Sequence, residues 1–324
     1  MPNSDEEQGQ DAASQKVIDD GKTEFQDDED DKDDETRAAE ERAAKEAARK
    51  RCYKFSDPPK LYTDVKPEVA LENLRQLVSS RISEQEIVYM SELQEYVMDK
   101  SGSWSVGDEH LTMLAGFLAN KDNSYAPNVP LLTLQILRAS AVKDDFVLIL
   151  HQDRKEHRIM SYINLMEQLT LAEQEETVKF LCNMCGSPGS FDWLMYISEW
   201  TDYDGSVTSN SRVTTKAAVH AILNEKLLTL QEVGMNLIFN LSLKNVFDDV
   251  ASELSTAILQ YLHTDLSLDH TRLCLIALTR FMDINTSDIA ALTKMLGPDL
   301  SKFNGKAKDI DEMVVKIQEK LPNM

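Results

Sequence analysis

The sequence predicts an all-helical protein whose helices stack in pairs as an α-solenoid, and three observations carry that prediction. Apolar residues recur at helical spacing along the chain from residue 67 onward, as in Val233, Leu237, Leu241 and in Leu254, Ile258, Tyr261, Leu262. The apolar faces of the central stretch, Leu228 to Met282, are wide enough to be buried on more than one side. The connections are short, so successive helices pack antiparallel, and signals for regular β-hairpins are nearly absent.

Taken in order, residues 1–36 have Phe25 as their only aromatic and contain the acidic run from Asp27 to Glu35. They bury too little apolar surface to fold and are expected to be disordered. Residues 37–52 turn to Ala, Glu, Arg and Lys, the composition of a solvated helix or charged linker. The Arg49-Lys50-Arg51 cluster reads as positive charge at a helix C-terminus, with a nuclear-import signal as the alternative. The folded domain is placed at 53–324. Phe55 to Lys66, with Pro58 and Pro59 inside it and Pro67 behind it, reads as an extended lead-in. Helices are predicted at 67–81, 84–100, 108–119, 128–142, 144–150, 155–168, 171–184, 189–200, 211–225, 229–245, 249–264, 268–283, 286–296 and 307–321. Asp108, Pro130 and Ser287-Asp288 are suitable first-turn residues for three of them. The polar stretch 201–210 is expected to be a mobile loop.

Charge and cysteine usage exclude several classes. The formal net charge is −22, and residues 1–52 contribute 18 acids against 9 bases. Such a chain repels phosphate, so neither nucleic acid nor an anionic membrane is expected as its main partner. No apolar run approaches the roughly 18 residues of a membrane span. Cys52, Cys182, Cys185 and Cys274 suit a reducing compartment rather than a disulfide framework.

No catalytic constellation emerges, and no cofactor or metal is expected. Cys182-Asn-Met-Cys185 sits at a helix C-terminus, where the dipole disfavours a thiolate, and no second ligand pair stands nearby for zinc. His151 and His157 flank Asp153 and Glu156 as a helix junction would. Asp202-Tyr-Asp204-Gly205 lacks the later ligands of a calcium loop and reads as an Asp-Gly turn.

Polar residues on core helices carry more information. Lys179 and Asn183 are four apart, as are Asn236 and Asn240, so each pair projects from one helix face. An asparagine amide can hold the backbone of an extended peptide, and Arg138 and Arg272 offer forked donors for carboxylates. Two readings stand side by side: these six residues line a peptide groove, or they bridge neighbouring repeats internally.

An ordered series of elements resembles the PUL domain, which ends the phospholipase-A2-activating protein and its yeast relatives. The series comprises Tyr62-Thr-Asp-Val-Lys-Pro-Glu-Val-Ala-Leu-Glu-Asn-Leu, Pro130-Leu-Leu-Thr-Leu-Gln-Ile-Leu-Arg138 and Phe180-Leu-Cys-Asn183. It continues with Ala217-Ala-Val-His-Ala-Ile, Asn236-Leu-Ile-Phe-Asn240-Leu-Ser and Thr271-Arg272-Leu-Cys-Leu-Ile-Ala-Leu. The resemblance covers about Tyr53 to Leu321. It implies an armadillo-like stack of about six repeats without catalytic activity. It also implies a basic groove that binds the C-terminal tail of the AAA ATPase valosin-containing protein and links it to ubiquitin-dependent degradation. Arg138, Asn183, Asn240 and Arg272 are the matching positions. Because this chain is acidic, the positive charge such a groove needs must be local. The missing membrane span and the cysteine usage lead to an expected cytoplasmic location, with Arg49-Lys50-Arg51 leaving a nuclear one as the alternative. The alternatives are a scaffold for another ligand, such as the chain's own acidic run 27–35, or an auxiliary chain of a PUL-fused enzyme.

Overall fold

Caps and prolines start the helices where the sequence places them. Ser83 and Glu86 form a reciprocal capping box, as do Thr170 and Glu173. Proline occupies the first turn of three helices, where its missing N–H costs nothing. The computed structural model describes residues 54–120 and 123–321, together with residues 39, 40, 42 and 43. The chain divides into two compact units, Met1–Lys45 and Glu46–Met324. In the first, the four described residues are helical. The disorder expected of 1–36, and most of the 37–52 helix, lie outside the described residues.

Fourteen α-helices follow in the described part of the second unit: α1 (Pro67–Val78), α2 (Glu84–Val97), α3 (Asp108–Ala119), α4 (Val129–Ser140), α5 (Phe146–Leu150), α6 (Arg158–Asn164) and α7 (Leu171–Met184), then α8 (Pro188–Leu194), α9 (Asn210–Ile222), α10 (Leu228–Leu241), α11 (Asp248–Tyr261), α12 (Leu268–Met282), α13 (Thr286–Leu296) and α14 (Lys308–Lys320). They form two layers. In the inner layer α1, α4, α7, α10, α12 and α14 each pack on the next; in the outer layer α3, α6, α9, α11 and α13 do the same. This is the helical-repeat stack, and its six inner helices set the repeat number. One continuous core of Leu, Ile, Val, Met and Phe runs between the layers, from Leu71 to Ile317. Gly234 lets the layers close. A Cβ there would lie 2.5 Å from the backbone nitrogen of Ile222, so α9 and α10 could not meet as closely around any other residue. No described helix is long and apolar enough to cross a membrane.

Three expectations are corrected. The helix predicted at 189–200 stops at Leu194, and the stretch predicted to be a mobile loop is instead a hairpin of β1 (Trp200–Thr201) and β2 (Val207–Thr208). Trp200 Nε1 donates to Asn210 Oδ1 at 3.2 Å, and Asn210 Nδ2 donates to the Trp193 carbonyl at 2.9 Å. The asparagine thus draws the hairpin back onto the end of α8. Gly205, at φ +84°, supplies the left-handed residue of the tight turn. The helix predicted at 155–168 is likewise shorter, with 3₁₀ turns before and after α6.

Candidate peptide-binding site

After bends at residues 54, 55 and 57, residues 58–66 run without helix or turn across the inner helices, and the polar residues of those helices hold the segment there. The Lys60 N–H donates to Asn240 Oδ1 at 2.7 Å, and Asn240 Nδ2 donates to the Lys60 carbonyl at 2.9 Å. Asn183 does the same for Tyr62, at 2.6 and 2.9 Å. Each asparagine therefore satisfies both main-chain groups of one residue and reads no side chain. Each amide also donates to the preceding inner helix, Asn183 to the Arg138 carbonyl at 3.0 Å and Asn240 to the Cys182 carbonyl at 3.3 Å. Clamping an extended strand and bridging neighbouring repeats are done by the same amide groups. Both asparagines are wholly buried, so the bonds form away from competing water.

The contacts fall at residues 57, 60, 62 and 64, on α12, α10, α7 and α4 in turn. An extended chain advances about 3.3 Å per residue, so steps of two or three residues span about 7–10 Å. Packed helices lie about 8–10 Å apart. The strand thus meets one inner helix every second or third residue.

Ion pairs fix both ends. Arg138, only 2% exposed, donates to Asp64 at 2.7 Å, and its Nε lies 2.5 Å from the buried Glu176. That second contact is close but poorly aligned for a hydrogen bond. The hydrogen bond from Arg138 lowers the Asp64 pKa. Burial raises that of Glu176, with Arg138 opposing it. At the other end Arg280 pairs with Asp57. Its guanidinium lies 4.1 Å from the centroid of the Phe55 ring and 5.3 Å from that of Phe239. Burial lowers the Arg280 pKa, against the raising effect of Asp57. Between the ends, Asn236 Nδ2 donates to the Tyr62 hydroxyl at 2.7 Å, and Lys179 Nζ stands 5.7 Å from the Tyr62 ring centroid. Lys179 also pairs with Glu175 at 2.7 Å.

Five of the six residues singled out in the sequence, Arg138, Lys179, Asn183, Asn236 and Asn240, therefore meet on one line. Arg272 does not join them. It pairs with Asp269 at 2.6 Å and with Asp309, tying α12 to α14 on a half-exposed face. Arg280, two turns further along α12, takes the position expected of it. The acidic run 27–35, considered as a groove ligand, lies outside the described residues; the strand on the asparagines is 57–64. Sequence reasoning missed Arg280, Asp57 and Asp64. The two aspartates stand seven apart within a proline-bounded extended stretch, which was the available signal.

The remaining candidates have structural surroundings. Cys182, Cys185 and Cys274 are fully buried, and burial pushes all three thiols up. No group of metal-capable side chains gathers among the described residues. Asp204 accepts from the Ser206 N–H at 2.8 Å inside the hairpin turn. His157 stacks on Trp200 with ring centroids 4.6 Å apart, beside a cavity of about 460 Å³.

Compared with known proteins, the chain matches no family model and no curated protein. Fold and site together define a helical-repeat protein whose inner asparagines hold an extended strand.

Proposed function

We propose that this chain is a non-enzymatic, PUL-type adaptor whose inner face receives the acidic C-terminal tail of the AAA ATPase valosin-containing protein, linking it to ubiquitin-dependent degradation in the cytoplasm. One observation carries the reading. Within a chain of net charge −22, the inner face gathers positive charge onto an extended strand. The strand's two acids, Asp57 and Asp64, are both committed to arginines. Its exposed lysines, Lys54, Lys60 and Lys66, pair with no carboxylate among the described residues. Past Phe55 the line continues into a cavity of about 580 Å³ between α12 and α14, where Arg280, Lys316 and Lys320 are balanced by Asp57, Asp283 and Glu319, so the unpaired charge lies on the strand's own lysines. Lys54, Lys60 and Lys66 beside the asparagine ladder support the reading, because a groove for an acidic tail needs local positive charge.

The occupied ladder favours a second reading, in which the face is a closed scaffold whose strand only braces the repeats. Titrating a synthetic ATPase tail peptide into the full chain separates the two. On the adaptor reading the peptide binds, and affinity falls with added salt because the lysines are exposed and screened. The Lys54→Glu/Lys60→Glu pair then lowers affinity at least about tenfold without changing the melting temperature. Absence of binding, or indifference to the charge reversal, leaves the scaffold reading.

A further inference from the structure

We propose that an acidic partner peptide adds to the docked segment as a second strand, along the outward edge of Leu61 and Thr63, and does not displace the segment from the asparagines. This rests on the adaptor reading above and specifies how its ligand is held.

The alternation of an extended chain carries the argument. Both main-chain groups of Lys60 face Asn240 and both of Tyr62 face Asn183. In a strand the groups of the intervening residues point to the opposite edge. The N–H and C=O of Leu61 and Thr63 therefore point away from the inner helices, and none of them has a backbone partner among the described residues. Side-chain positions agree with a strand standing on its edge. Tyr62 leans toward Lys179 and Asn236, one turn before the clamping asparagines. Leu61 leans the other way, toward Gly186 beyond the end of α7. Leu61 and Thr63 are both exposed, so the edge is open. Pro59 and Pro67 bound it, and a proline cannot extend a ladder. An open strand edge is a template for an extended peptide, whose main chain supplies the affinity. Charge selects the peptide: Lys60 and Lys66 flank the edge without carboxylate partners among the described residues, whereas the segment's own acids are neutralised.

Exchange is the competing mechanism, and the anchoring opposes it. The segment is held by two amide clamps and two ion pairs, and it is tethered directly to α1, which gives it an effective concentration no free peptide matches.

The test uses full-length protein and an acetylated, amidated octapeptide of alternating glutamate and threonine, with two versions N-methylated at alternate amides in opposite registers. Strand addition predicts that one register lowers affinity at least about tenfold while the other stays within about twofold. Leu61→Pro removes one outward N–H and should weaken the unmethylated peptide. The Lys60 and Tyr62 amides should stay protected from hydrogen exchange in that variant, which shows that the segment is still docked. Equal effects of the two registers would overturn the proposal. So would tighter binding after Asp57→Asn/Asp64→Asn, which loosens the segment and would favour exchange. If neutralising the acids of 27–35 within the full chain raises peptide affinity about tenfold or more, the edge belongs to the chain's own acidic run and the partner assignment falls. Should the ATPase tail bind while the two registers behave alike, strand addition fails and the adaptor reading stands; if neither peptide binds, both fail.

Discussion

At Asp64 the docked segment meets Arg138, which is 2% exposed and also lies 2.5 Å from the buried Glu176. At Asp57 it meets Arg280, which has no second acid among the described residues and lies instead between the rings of Phe55 and Phe239. At the first end one buried cation serves two acids, the buried Glu176 and the exposed Asp64. The second replaces one of those acids with aromatic faces. Removing the arginine strands a buried carboxylate at the first end. At the second it frees Asp57, which is 45% exposed at its side chain and returns to water. Two arginines with the same apparent task should therefore differ in what their loss costs.

The largest effect is expected for Arg138→Met. Breaking a buried pair from one side typically costs about 3–5 kcal/mol, because the remaining charge is uncompensated. The dependence on pH distinguishes this from lost packing. Burial already holds the Glu176 pKa above its ordinary value, and losing Arg138 raises it further. A raised carboxyl pKa means the folded state binds the proton more tightly than the unfolded chain. The variant therefore recovers stability as pH falls through that raised pKa toward the ordinary glutamate value. In the wild type, Asp64 has a depressed pKa, so its contribution is present above the ordinary aspartate value and lost as pH falls through the depressed one. Both terms narrow the gap in acid. Urea denaturation from neutral to acidic pH checks this, and Arg138→Met/Glu176→Gln should restore most of the loss. A gap that stays constant with pH would mean that Glu176 is not stranded.

Next comes Asn240→Leu, which removes three hydrogen bonds from a fully buried position and leaves the Cys182 carbonyl without its side-chain donor. At about 1 kcal/mol per bond the loss is about 2–3 kcal/mol. Because one amide serves both the strand and the adjacent helix, hydrogen exchange should quicken at Lys60 and in the last turn of α7 together. Loss of protection at Lys60 alone would separate the two roles. Arg280→Met follows at about 1–2 kcal/mol, since methionine still fills the space between the two rings and no buried acid is stranded.

The stack was legible because its signals are local. Helices with caps at Ser83 and Thr170, and apolar stripes several turns long, leave little choice of structure. The region 144–208 was less legible. Its helices α5, α6 and α8 have only 5, 7 and 7 residues, too few for periodicity to fix their ends. The hairpin has two residues per strand, and what holds it is Asn210, ten residues beyond Trp200. The asparagines announced themselves as buried amides in apolar surroundings. What they bind did not, because Lys60 and Tyr62 lie 180 and 121 residues away in sequence. The choice between Arg272 and Arg280 was readable in principle. Arg280 lies three residues after Ala277 and seven after Leu273, on a buried stripe of α12, whereas Arg272 shares its stripe with the half-buried Ile276 and Thr279.

That distinction gives the smallest expected effect and the sharpest control. Arg272 is about a third exposed at its side chain, and its partners Asp269 and Asp309 are more exposed still. Ion pairs in water gain little, because solvent screens the attraction and long side chains lose freedom in forming them. If the path of an acidic peptide follows the docked strand, Arg272→Ala should leave both the melting temperature and the peptide affinity unchanged. Lys60→Glu on the same protein should lower the affinity. The two substitutions change charge in the same direction, so a general electrostatic effect on an anionic ligand would act in both. Only a local path separates them. A clear loss of binding in Arg272→Ala would move the peptide off the strand and onto the face between α12 and α14, where Asp309 would have to release the arginine before it could bind.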